Sequence, residues 1–113
     1  QASLEHLAQI PGEKIAVLGD MGELGDNKLS LHQRMVPYIK DSGAKKIFLV
    51  GEVMEQVAAD LSGDILLKCY KNVDELIAEI DQYIAGGESI LIKGSRFLKL
   101  ENLAKYLGVK DVL

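Results

Sequence analysis

The sequence predicts a three-layer α/β domain with a mainly parallel sheet of at least four strands flanked by helices. Three observations lead there. Four short apolar runs are continuous instead of alternating, as expected of strands buried on both faces of a parallel sheet. Amphipathic segments at helical period separate those runs. The two kinds of segment alternate along the whole chain, and right-handed crossovers then place helices on both faces of one sheet.

The elements follow in order. An opening helix around Leu4, Leu7 and Ala8 stops near Pro11-Gly12, and the first strand is Ile15-Ala16-Val17-Leu18. A helix over about residues 30 to 42 contains Pro37, which lacks a backbone donor and clashes with the preceding turn, so a kink or a late start is expected there. The second strand is Ile47-Phe48-Leu49-Val50, followed by a helix with Val53, Met54, Val57, Ala58 and Leu61 on its apolar side. Ile65-Leu66-Leu67 is the third strand. The clearest helix carries Val73, Leu76, Ile77, Ile80, Tyr83 and Ile84; Asn72 is its N-cap, Glu75 completes a capping box, and Gly86-Gly87 ends it. Ile90-Leu91-Ile92 is the fourth strand, and a last helix with Leu100, Leu103, Ala104 and Leu107 stops at Gly108. The layering is Rossmann-like. With no repeat, low-complexity tract or long linker, residues 1–113 read as a single domain.

Composition narrows the function. A chain of 113 residues supports one core. Its 48% hydrophobic and 27% charged residues are those of an average globular domain, which excludes a disordered tail or a disulfide scaffold. A net charge of −4 lacks the basic field that attracts phosphate backbones, so no nucleic-acid partner is expected. No apolar run approaches the roughly 18 residues of a membrane span, and no leader opens the chain, so no membrane partner is expected. The single cysteine, Cys69, has no internal disulfide partner, fits a reducing compartment and reads as a small core residue. A start at Gln1 instead of Met suggests a piece of a longer protein.

In an open α/β sheet, ligands bind beyond the carboxyl ends of the strands, near the point where strand order reverses. The loop after the first strand is Gly19-Asp20-Met21-Gly22-Glu23-Leu24-Gly25-Asp26, and the loop after the fourth is Lys93-Gly94-Ser95-Arg96. The loops after strands two and three, Gly51-Glu52 and Tyr70-Lys71-Asn72, are shorter and plainer. A strand order of 3-2-1-4 would make the first and fourth strands neighbours and bring one acidic and one basic loop to a common crevice. The glycine spacing of the acidic loop is not that of a dinucleotide site, and its acids stand where a pyrophosphate would lie. Its acids also lack the spacing of a calcium loop, so no metal site is assigned. The chain has no P-loop. A phospho-accepting receiver would need an aspartate where Cys69-Tyr70 stands.

Lys93-Gly94-Ser95-Arg96 combines two cations, a glycine allowing close approach and a hydroxyl, a set suited to an anion such as a carboxylate. The alternative is that Lys93 and Arg96 pair with Asp20 or Glu23 across the crevice. His32, beyond the acidic loop, reads either as a packing residue or as a site residue, and no Cys or Ser stands ready as a nucleophile beside it. His6 has no loop context and is assigned nothing. No catalytic residue is assigned in this chain.

Taken together, Gly19-Asp20-Met21-Gly22-Glu23-Leu24-Gly25, then His32, a strand ending Val50-Gly51, and Ile92-Lys93-Gly94-Ser95-Arg96 resemble the C-terminal domain of the Mur ligase family. The resemblance runs from about Ser3 to Gly108 and is greatest to the ligases that add D-alanyl-D-alanine to UDP-N-acetylmuramoyl-tripeptide; folylpolyglutamate synthases share the fold but resemble both loops less. It implies one domain of a three-domain, cytoplasmic bacterial enzyme of cell-wall synthesis. An N-terminal domain would bind UDP-N-acetylmuramoyl-tripeptide, a central domain would bind ATP and Mg2+, and this one would help present D-alanyl-D-alanine. The implied substrate-binding residues are Asp20, Met21, Glu23, Leu24, His32, Lys93, Gly94, Ser95 and Arg96. Alone, the chain would hold no cofactor and be inactive. The reading of a different class is a free-standing α/β ligand-binding or interaction module.

Overall fold

The computed structural model describes residues 2–21, 28–61, 63, 65–95 and 98–108. Along the chain they form α1 (Ala2–Gln9), β1 (Lys14–Gly19), α2 (Lys28–Gln33), α3 (Val36–Asp41), β2 (Lys46–Val50), α4 (Glu52–Val57), β3 (Leu66–Tyr70), α5 (Val73–Ile80), β4 (Ser89–Lys93) and α6 (Glu101–Leu107). Single 3-10 turns, Ala58–Asp60 and Asp81–Tyr83, continue α4 and α5. All strand pairings are parallel and the order is β3-β2-β1-β4, the arrangement that the crevice argument requires. Gly19 pairs with Val50 and Leu18 with Lys93, so the carboxyl ends of the three strands finish level.

Alternate residues of the central strands feed two cores. Ala16, Leu18, Ile47 and Leu49 meet Leu4, Leu7, Ile39, Met54 and Val57 from α1, α3 and α4. Ile15, Val17, Phe48 and Val50 meet Val73, Leu76, Ile80, Leu103 and Ala104 from α5 and α6. Apolar burial on both faces is why the sequences of β1 and β2 are continuous instead of alternating.

Two expectations change, and the interruption expected at Pro37 is present as a break between two helices. The third strand runs from Leu66 to Tyr70 and lies at a sheet edge, so Leu66, Leu67 and Lys68 are only half-buried. β4, at the other edge, is likewise open at its start. A run of three apolar residues is too short to separate an edge strand from a central one. Cys69 is exposed on β3, not a core residue; partial burial and then the nearby Glu55 carboxylate push its thiol pKa up. The segment around Pro37 is two helices: α2 ends at Gln33, and Pro37 sits in the first turn of α3, where a missing N–H costs nothing.

The Asn72 cap and the Gly108 stop agree with the sequence, while the return bond of Glu75 reaches Lys71, one residue before the N-cap. Asn72 Oδ1 accepts from the Glu75 amide at 2.9 Å, and Glu75 Oε1 accepts from the Lys71 amide at 3.0 Å. Gly108 ends α6 in the left-handed region at φ 75°. Among the described residues, no helix is long and apolar enough to cross a membrane.

Candidate functional site

Because β1 and β4 are neighbours, the chain leaving each of them runs side by side past the end of the sheet. The Asp20 amide donates to the Val50 carbonyl at 3.0 Å, and the Asp20 carbonyl accepts from the Ser95 amide at 2.9 Å. The main chain of one residue thus joins the exits of β1, β2 and β4. Two glycines permit this approach. A Cβ on Gly94 would lie 3.0 Å from Gly19 Cα and 2.6 Å from Leu100 Cδ1, and a Cβ on Gly19 would lie 2.6 Å from Leu98 Cδ1. Leu100, which opens α6, covers both glycines.

The Asp20 side chain turns toward α4. Its Oδ1 accepts from the Met54 amide at 2.8 Å and its Oδ2 from the Val53 amide at 3.2 Å, so it satisfies two of the unpaired donors of the first turn from outside the helix. Gly51 occupies the N-cap with φ 108° and ψ 163° and brings no side chain of its own. That conformation is essentially confined to glycine, and a Cβ at Gly51 would overlap the Asp20 carboxylate. Sequence reasoning passes over Gly51-Glu52 as plain; a glycine between a strand's last residue and a helix's first was the available signal.

Met21 is held in turn by His32. The imidazole is 0% exposed on α2, and its Nε2 accepts from the Met21 amide at 2.9 Å. An accepting Nε2 is unprotonated, so the neutral ring carries its proton on Nδ1.

The residues singled out in the sequence therefore separate into groups. Asp20, Met21, Lys93, Gly94 and Ser95 come together beyond the carboxyl ends of β1 and β4, all half-buried. His32 lies beneath them, fully buried. Glu23, Leu24 and Arg96 lie outside the described residues. The Asp20 carboxylate faces α4, and among the described residues no ion pair joins it to Lys93. Both carboxylate oxygens of Asp20 lie on amide hydrogens, and among the described residues no group of three His, Cys, Asp or Glu side chains could hold Mg2+, the ion that accompanies ATP. No step through either is assigned to this chain.

Comparison with known proteins places this geometry in a family. The family model "Mur ligase, glutamate ligase domain" matches residues 1–96. The UDP-N-acetylmuramoyl-tripeptide--D-alanyl-D-alanine ligase of Rickettsia prowazekii is 43% identical over 107 residues, covering 94% of this chain and 24% of that protein. The ligase of the same name from Escherichia coli is 29% identical over 108 residues, again covering 94% of this chain and 23% of that protein. A crystal structure of MurF from Acinetobacter baumannii superposes with a TM-score of 0.76 at 28% identity, covering 94% of this chain and 24% of that one. The chain thus spans about a quarter of the length of the relatives it matches. Matched by the family model over most of its residues, and by relatives from end to end of its sheet, the chain belongs to the Mur ligase family through the domain that carries this crevice.

Proposed function

We propose that the chain is the C-terminal, D-alanyl-D-alanine-presenting domain of an ATP-dependent amide ligase. The full enzyme, in a bacterial cytoplasm, adds that dipeptide to UDP-N-acetylmuramoyl-tripeptide in peptidoglycan synthesis. The observation that carries the reading is the 43% identity to the R. prowazekii ligase across 94% of the chain. The crevice supports it physically. A dipeptide nucleophile needs its carboxylate held and its amine aimed, and holding a reactant in that way lowers the barrier by several kcal/mol, on the order of 7–11 at best.

Lys93, Ser95 and Arg96 supply two cations and a hydroxyl to the dipeptide carboxylate. Of the acids in the first loop, Asp20 is committed to α4. Glu23, the other acid of the Gly19–Gly25 stretch that carries the resemblance, then takes the dipeptide's ammonium group and receives its proton. ATP and Mg2+ act in the central domain, where the tripeptide's terminal carboxylate becomes an acyl phosphate. The dipeptide nitrogen then attacks the acyl carbon with its lone pair, the C–N bond forms, and phosphate leaves with the electrons of the broken C–O bond and takes the nitrogen's second proton. Closure of this domain on the other two keeps water from the acyl phosphate.

Kinetics on the full-length protein test the proposal. It should turn ATP over to ADP continuously only when ATP, UDP-N-acetylmuramoyl-tripeptide and D-alanyl-D-alanine are all present, and residues 1–113 alone should release none. Arg96→Ala should lower kcat/KM for the dipeptide about tenfold to hundredfold, the worth of a hydrogen bond to a charged group, and leave the KM for ATP unchanged. Arg96→Lys should recover part of this, because it keeps the charge and loses the fork. ADP release indifferent to the dipeptide would overturn the reading.

A further inference from the structure

We infer that His32 is a positioning residue for the dipeptide, acting on the ligand through the main chain of Met21 and not by direct contact. The inference rests on the ligase reading above. A side chain with 0% exposure does not touch a ligand in the crevice, yet it holds the residue at the crevice wall. Asp20 and Met21 are consecutive, and each is tied to a different helix: the Asp20 carboxylate to the first turn of α4, the Met21 amide to His32 on α2. Those two helices pack on each other. The pair of ties therefore sets the direction in which the chain enters the acidic loop, much as two screws fix a bracket that one would leave free to swing. Asp20 also carries the Ser95 amide on its carbonyl, so the same two ties bear on the loop after β4.

The chemistry required of His32 is narrow. It must present an unprotonated acceptor at the reach of Nε2. A glutamine Oε1 stands at that reach and accepts in its place. An asparagine is one methylene shorter and falls at the reach of Nδ1, while alanine leaves the Met21 amide without its acceptor. A ring that merely filled space would show no such ranking.

Steady-state kinetics on the full-length ligase carrying His32→Ala, His32→Asn and His32→Gln test the inference. With Ala and Asn, the KM for D-alanyl-D-alanine should rise about tenfold, within the range expected for a reactant misplaced by a fraction of an ångström to 1 Å. The KM values for ATP and UDP-N-acetylmuramoyl-tripeptide should hold, and Gln should bring the dipeptide KM back to within about threefold of the parent. An unchanged dipeptide KM with a kcat that falls only with the folded fraction would overturn the inference, as would an equal rise in all three KM values or a Gln variant no better than Asn. Where His32→Ala does not accumulate as folded protein, the Asn and Gln pair decides. Hydrogen exchange at the Met21 amide reads the tie without any substrate: faster exchange in Asn and not in Gln is expected, and equal exchange in both overturns it. A parent enzyme that ignores the dipeptide would instead defeat the ligase reading, and the exchange experiment keeps the two failures apart.

Discussion

The two ends of the sheet obey one electrostatic rule with different tolerances. At the amino end, helix carboxyl termini are met by lysines that open strands: Lys14 Nζ donates to the Ala8 carbonyl at 3.3 Å and the Ser42 carbonyl at 3.1 Å, and Lys46 Nζ donates to the Tyr83 carbonyl at 2.5 Å. At the carboxyl end, helix amino termini are met by short acceptors, Asp20 on α4 and Asn72 on α5. Both arrangements complement the helix dipole. A lysine reaches through four methylenes and re-aims at little cost, whereas the Asp20 carboxylate sits one methylene from a main chain already fixed to Val50 and Ser95. The glycines repeat the contrast. A Cβ on Gly43 would meet only the tip of Lys14, 2.9 Å from Nζ, while a Cβ on Gly94 would press on Gly19 main chain at 3.0 Å. Close main-chain approach and short acceptors are concentrated at the carboxyl end of the sheet, the arrangement that preorganisation of a binding site requires.

The sharpest way to break the comparison is Gly51→Ala. The substitution combines a backbone conformation costing about 1–3 kcal/mol with displacement of the Asp20 carboxylate, a crowding worth about 1–3 kcal/mol. A total loss of about 2–6 kcal/mol is expected in denaturant titration of the full-length protein, together with a higher dipeptide KM. A loss under about 1 kcal/mol would mean that the carboxyl end is no stiffer than an ordinary turn.

Asp20→Ala comes next, at about 1.5–3 kcal/mol, because it deprives the Val53 and Met54 amides of a charged acceptor. Asp20→Asn should recover roughly half, since one oxygen still accepts while the new amide group opposes the second N–H. Hydrogen exchange at Val53 and Met54 reads this directly, and exchange as slow as in the parent would remove Asp20 from its place on α4.

The amino end supplies the control. Gly43→Ala should cost about 1–2 kcal/mol for its positive φ, since the Lys14 tip moves aside. Lys14→Met should cost only about 0.3–1 kcal/mol, the usual worth of a cation at a helix carboxyl terminus. Neither should change the dipeptide KM. If Lys14→Met shifted that KM as far as Asp20→Ala does, the two ends would not differ in the way described.

Legibility in the sequence followed the range of the interactions. The amphipathic period of α5, the Asn72 cap and the Gly108 stop involve residues within a few positions of one another, so sequence spacing contains them. Burial on both faces wrote itself into β1 and β2 as unbroken apolar runs. The edge position of β3 did not show, because Leu66 and Leu67 look alike whether one face or two are covered, and the exposure of Cys69 followed from that. Both motif loops were visible as residue types suited to an anion and to a cation, and their adjacency followed from the assumed strand order.

By itself the sequence determined the α/β class, the order of elements, the two loops that face the crevice and the resemblance that names their family. Only the tertiary structure decided where the Asp20 and His32 side chains are engaged. Asp20 reads as a candidate ligand beside Glu23 until α4, 33 residues further along, is seen to place two amides on it. His32 reads as a loop or packing residue until Met21, 11 residues back, is seen to donate to its ring. Hydrogen bonds of this kind join elements that the chain brings together only by folding, and a donor amide carries no signature in its residue type. Which partner a side chain such as Asp20 or His32 takes is therefore settled by packing geometry and not by composition or spacing.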